Sequence, residues 1–101
     1  MDPERISDFN ISDVVKSTAG RDKEDLFYVI GMDETYLFLA NGKDRTLEKP
    51  KRKKLRHVQK VLRSETRVAA KLISGDKVLN SELRRDLAYF AREMQANNLG
   101  G

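Results

Sequence analysis

The 101-residue chain has no cysteine and no tryptophan, only two prolines and a single histidine. Without thiols there is no disulfide framework, no thiolate metal site and no cysteine nucleophile, and the composition fits a reducing compartment. The lone histidine, His57, has neither a second histidine nor a recognisable carboxylate spacing around it. No metal and no other cofactor is expected. Catalysis needs a nucleophile or an acid–base pair with a positioned partner. No such motif is present, so the expectation is a protein that is not an enzyme and takes no small-molecule substrate. No apolar run approaches the roughly 18 residues of a membrane span. The opening MDPERISDFN is acidic where a leader would be basic and then apolar. A soluble, cytoplasmic chain with no membrane role is expected.

Charge is what the sequence has in quantity. Charged residues make up 36% and hydrophobic ones 39%, which allows one small domain with a modest core. The net charge of +4 hides an asymmetry. Residues 1–48 carry 6 basic and 11 acidic side chains, whereas residues 49–63 carry eight basic and no acidic ones. A chain that needed only solubility would intersperse the signs. Concentrating positive charge in one segment makes a local field that attracts polyanions.

Residues 1–10 lack periodicity and are expected to form a flexible tail. DVVKST then reads as a strand, AGRDKED as a glycine-bearing loop, and LFYVI and YLFLA as two strands separated by a GMDET turn. Asn41-Gly42 predicts a two-residue type I′ hairpin into KDRTLEK, setting Tyr36 opposite Leu47, Leu37 opposite Thr46 and Phe38 opposite Arg45. Both faces of 36–40 are apolar, which calls for a barrel interior on one side and a helix on the other. Pro50 is expected to end the TLE strand, and Arg56-His57-Val58 to supply a short closing strand.

The C-terminal third is helical in pattern. Ser64 is placed to cap a helix over 65–74 that Gly75 stops, with Val68, Leu72 and Ile73 on one face. Asn80 is placed to cap a second helix from Ser81 to about Ala96, with NNLGG fraying. In this helix Leu83, Leu87, Phe90, Ala91 and Met94 share one apolar face, while Arg84, Arg85, Arg92 and Glu93 lie opposite. The two helices joined by GDKVL invite comparison with helix-turn-helix readers, but few base-reading residues stand at the second helix's start.

Short strands with a Gly loop after the first suggest a small SH3-like barrel. VVKSTAGRDKEDLFYVIGM resembles a KOW motif. Together with YLFLANGKDRTLEKPKRKKLRHV, the stretch 12–60 resembles small bacterial KOW-domain RNA-binding proteins, which are similar to KOW-type large-subunit ribosomal proteins of archaea and eukaryotes. The resemblance implies an SH3-like barrel and RNA binding on or near the ribosome. It departs from the family pattern twice. Ser12-Asp13 stands where a glycine usually precedes the first strand's valines, and Glu24-Asp25 stands where glycine commonly follows the loop lysine. The acidic substitutions leave loop 19–25 with a net charge of −1, which weakens its expected share in phosphate contact.

The expected architecture is thus mainly β with C-terminal helices: a KOW barrel over 11–63 of four to five strands, including the basic segment 49–63, and a two-helix extension over 64–98 packed on it. Three readings of the basic segment are open: a localisation-like address, a merely solvated face, and an RNA-binding surface. The apolar residues interrupting it argue against a free tail. As an RNA surface it offers Lys49, Lys51, Arg52, Lys53, Lys54, Arg56 and Lys60 to phosphates, with affinity dominated by counterion release. His57 adds a stacking or phosphate contact, and Lys43, Arg45, Arg21 and Lys23 complete the candidate set. Tyr28, Tyr36 and Phe38 fit barrel core better than a stacking platform. The expected partner is RNA, above all ribosomal RNA or the ribosome, bound by a chain that is a monomer when free. The alternative is a protein-interaction adaptor acting through the C-terminal helices or the acidic N-terminal half.

Overall fold

The computed structural model describes residues 5–100, with side chains described through residue 96. Five antiparallel strands are present: β1 (Asp13–Ser17), β2 (Leu26–Asp33), β3 (Tyr36–Ala40), β4 (Lys51–Lys54) and β5 (Val58–Arg63). They form one sheet in the order β4-β3-β2-β1-β5, and a 3-10 turn, Leu55–His57, joins its two edge strands. That short link curls the sheet into a small barrel. Two helices follow, α1 (Arg67–Ser74) and α2 (Asn80–Gly100). The mainly β fold with C-terminal helices is the one expected from the sequence. Among the described residues, no helix is long and apolar enough to cross a membrane.

The central strands are apolar on both faces because each face meets a different core. Val15, Phe27, Val29, Leu37, Leu39 and Val58 point to the inner side. Their neighbours Val14, Tyr28 and Ala40 point the other way and pack on Val68 of α1 and on Leu83 and Leu87 of α2. Each such buried aliphatic or aromatic side chain contributes on the order of 1.5–3 kcal/mol relative to exposure. The expected tail is partly core. Residues 1–4 lie outside the described residues, but Ile6–Asp8 form a 3-10 turn and Phe9 is only 2% exposed. Phe9, flanked by Ile6 and Ile11, joins the inner core and adds apolar mass that five short strands lack.

Asn41-Gly42 does not make the two-residue hairpin. A type I′ turn needs positive φ at both central residues, and only Gly42 has it, at 76°. Asn41 Oδ1 instead accepts from the Lys43 and Arg45 backbone N–H groups at 2.9 and 3.0 Å. This Asx-type turn opens a loop over 41–50. The partner of β3 is therefore β4: Tyr36 lies opposite Lys54, Leu37 opposite Lys53, Phe38 opposite Arg52 and Leu39 opposite Lys51. Leu47 packs with the helices, and its N–H donates to Asn80 Oδ1 at 2.8 Å. Pro50 precedes a strand rather than ending one. The other reversal is tighter than GMDET suggested. Asp33 pairs with Tyr36, leaving Glu34 and Thr35 to turn the chain while Gly31 sits at a bulge in β2. His57 belongs to the 3-10 turn, and the closing strand starts at Val58.

The helix caps also differ. Thr66 caps α1, its Oγ1 accepting from Ala69 N–H at 3.2 Å, and Gly75 ends the helix at φ 80°. Ser64 is buried and shares a hydrogen bond with the Tyr28 hydroxyl at 2.9 Å. That hydroxyl donates to Asp86 of α2 at 2.7 Å, and Thr66 Oγ1 donates to the same carboxylate oxygen at 2.6 Å. Burial, reinforced by the Asp86 carboxylate and only partly offset by Ser64 and Thr66, pushes the Tyr28 hydroxyl up to about 12. At α2 it is Glu82 that caps, accepting from Leu79 N–H at 3.0 Å, because Asn80 is engaged by the 41–50 loop. That engagement also removes the free N-terminal end a groove-reading helix would need. Ile73, placed on the buried face of α1 by its spacing, is 62% exposed. Helix α2 continues past Ala96, where its end was expected.

Gly42 is where the loop touches α2: a Cβ there would lie 2.1 Å from the Asn80 carbonyl oxygen. Gly42→Ala is expected to cost more than about 2 kcal/mol in urea denaturation, combining backbone strain with overlap. An unchanged midpoint would show that the loop does not seat on the helix. Glu24, exposed and at φ 78°, carries avoidable strain. Glu24→Gly is expected to raise stability by up to about 1 kcal/mol in the same assay, and a clear loss would contradict the left-handed geometry.

Candidate nucleic-acid interface

The basic segment separates into two faces because much of it is a strand. Side chains of β4 alternate, so Lys51 and Lys53 turn inward while Arg52 and Lys54 turn outward and are exposed. An inward lysine needs a counter-charge, and loop 19–25 provides it. The Lys53 ammonium, 6% exposed as a residue, donates to Asp22 Oδ1 at 2.6 Å, to the Ala19 carbonyl at 2.7 Å and to the Ser17 hydroxyl. Lys51 Nζ donates to the other Asp22 oxygen at 2.7 Å. Ser17 Oγ also reaches Asp22 Oδ1, at 2.7 Å. Burial raises the Asp22 carboxyl, but hydrogen bonds from Lys51, Lys53 and Ser17, with the charge of Lys53, outweigh it. The group stays ionised well below the usual carboxylate range.

Lys60 is also committed internally. Its ammonium lies 3.3 Å from the buried Asp13 carboxylate, donates to the Asp8 carbonyl and sits 5.4 Å from the centre of the Phe9 ring. Lys51, Lys53 and Lys60 are therefore structural cations, contrary to their expected role as free phosphate contacts. By contrast Lys49, Arg52, Lys54 and Arg56 are exposed and form no ion pair among the described residues.

The outward side chains border a depression of about 390 Å³ lined by Ala19, Gly20, Tyr36, Lys51, Arg52, Lys53, Lys54 and His57. Two backbone bonds frame it: Thr18 N–H to the His57 carbonyl at 2.9 Å and Leu55 N–H to the Thr35 carbonyl at 3.2 Å. The Arg52 guanidinium lies 4.2 Å from the centre of the Tyr36 ring. This is a diagonal cross-strand pair, since Tyr36 stands opposite Lys54. His57 is half-buried at the rim.

Other candidates fall elsewhere. Arg21 and Lys23 are exposed on loop 19–25, beside the groove-lining Ala19 and Gly20. In that loop Asp22 is consumed internally and Glu24 pairs with Lys16 at 3.3 Å, so the acidity read from sequence is largely neutralised. Lys43 lines a different depression with Arg84 and Leu87 of α2, away from the groove, and Arg45 is exposed on the 41–50 loop. Tyr28 is fully buried and stacks on nothing external, whereas Tyr36 and Phe38 are only half-buried. Sequence reasoning missed the anchoring by Asp22. The available signal was an acid in the glycine loop facing two lysines spaced i, i+2.

Asp22→Asn is expected to destabilise the protein by about 3–5 kcal/mol, because it strands the buried Lys53 ammonium. The pH dependence has a definite sign. The folded carboxyl titrates below its unfolded value of about 3.9, so its contribution is complete above about pH 5 and is lost as pH falls through the folded pKa. Denaturant midpoints of wild type and variant should therefore converge in acid; a gap that persisted or widened there would contradict the assignment. Compared with known proteins, the chain matches no family model and no curated protein.

Proposed function

We propose that the chain is a non-catalytic RNA-binding module of KOW type that engages structured ribosomal RNA, on or near the ribosome, in the cytoplasm. The observation that carries this reading is that Arg52 and Lys54, which line a depression on the barrel, and Arg56, which follows them in the chain, are exposed and form no ion pair among the described residues. Free cations release counterions from a phosphate backbone, and the arginines add forked contacts that lysine makes poorly. The barrel holds their spacing while the 19–25 and 41–50 loops add shape-based selectivity.

Backbone geometry supports the KOW resemblance in a way composition does not. Among the described residues, Ser12 at φ 79° and Glu24 at φ 78° are the non-glycine residues in the left-handed region. Each lies in one of the two dipeptides, Ser12-Asp13 and Glu24-Asp25, that stand where the resembled pattern carries a glycine, a residue that adopts this conformation without strain. The adaptor alternative is less favoured at the C-terminal helices, because Leu83 and Leu87 are buried against the barrel and Phe90 is half-buried.

The test is the salt dependence of binding to a structured ribosomal RNA fragment. Log affinity should fall linearly with log salt, and Arg52→Ala, Lys54→Ala and Arg56→Ala together should reduce the slope by about two to three units. Lys53→Ala should lower thermal stability while leaving the slope near that of the wild type. Binding that survived the triple change unaltered would sink the reading.

A further inference from the structure

We infer that the groove between Tyr36 and His57 is a pocket for one unpaired RNA base, stacked on Arg52, with the flanking phosphates held by rim cations. The inference rests on the RNA-binding reading and adds the class of ligand: an extruded or bulged nucleotide rather than regular duplex.

Three features favour this ligand. The deeper cations are already neutralised: Lys53 is buried and both Lys51 and Lys53 are bonded to Asp22. Nothing there calls for a phosphate, which would have to compete with a carboxylate held at hydrogen-bond distance. Arg52 and Lys54, which form no ion pair among the described residues, belong to the exposed outer face of β4, with Arg56 just beyond. Charge thus lies on the rim and not at the bottom, the distribution that suits a base inside and its phosphodiesters outside.

The second feature is orientation. The Arg52 guanidinium lies over the Tyr36 ring, 4.2 Å from its centre, and Arg52 is nevertheless exposed. A guanidinium backed by an aromatic ring offers its other face as a ready stacking surface for a base, at little further entropic cost. The third is shape. A concavity of about 390 Å³ is at the small end of ligand sites. A depression of this volume has room for one base. Gly20, which also lines the depression, adds no side chain to it.

The test uses the whole chain and two RNA hairpins with the same stem, one fully paired and one carrying a single bulged 2-aminopurine. Wild type should bind the bulged hairpin about tenfold more tightly, as one stacked base predicts, and should change the 2-aminopurine fluorescence on binding. Arg52→Lys keeps the charge but loses the plane; it should retain the salt slope and lose both the preference and the fluorescence change. Tyr36→Leu should behave likewise, with circular dichroism confirming the fold of each variant. Equal wild-type affinity for the two hairpins, or a preference that survives Arg52→Lys, overturns the base pocket while leaving RNA binding standing. Failure to bind either hairpin overturns both.

Discussion

A buried carboxylate ties strand β4 into this barrel. Asp22 accepts from Lys51 and Lys53 of β4 and from Ser17 at the end of β1, so one side chain links the edge strand β4 to the loop between β1 and β2. Strand β4 has four residues and a single ladder partner, β3. Ladder bonds on one side alone hold a short strand weakly. The Asp22 cluster supplies the second attachment, and with it the spacing between loop 19–25 and β4 that defines the groove. Asp22 and Lys53 are buried there, so losing one charge leaves the other poorly compensated.

The opposite face depends on a different polar centre. The Tyr28 ring fills space between sheet and helices, while its hydroxyl meets Ser64 after β5, Thr66 at the α1 cap and Asp86 on α2. Because the hydroxyl stays protonated far above neutrality, it remains a donor to Asp86 under ordinary conditions. The helical extension is thus keyed to the barrel by hydrogen bonds as well as by apolar burial. Its register is fixed again at the far end by Asn80, Gly42 and Arg84, whose guanidinium donates to the Gly42 carbonyl.

How much of this was legible in the sequence follows from where side-chain type carries periodic information. LFYVI and YLFLA declared themselves through β-branched and aromatic residues, and Leu83 and Leu87 through helical spacing. The Asn-Gly signal misled because a tertiary contact, Leu47 and Asn80 across the loop, outweighed a local turn preference. Lys-Arg-Lys-Lys was legible as charge and illegible as a strand. Inside–outside alternation shows itself through hydrophobicity, and a run of four cations has none. Only a carboxylate thirty residues earlier in the chain decides which of those lysines turn inward. The same blindness made loop 19–25 look acidic, when its aspartate serves the interior.

The position of β4 at the sheet's margin has one more effect. An open strand edge is a template on which another chain can add, and small β domains are exposed to that hazard at both margins. Here one margin consists wholly of lysine and arginine, entered through Pro50, which has no N–H to offer a neighbour. A second copy approaching edge-on would bring its exposed Arg52 and Lys54 against the same two cations, while Lys51 and Lys53 are taken up by Asp22. The residues that make the surface attractive to a polyanion therefore also keep concentrated protein from growing strand by strand, and a neutralising polyanion would remove that protection at the edge it covers.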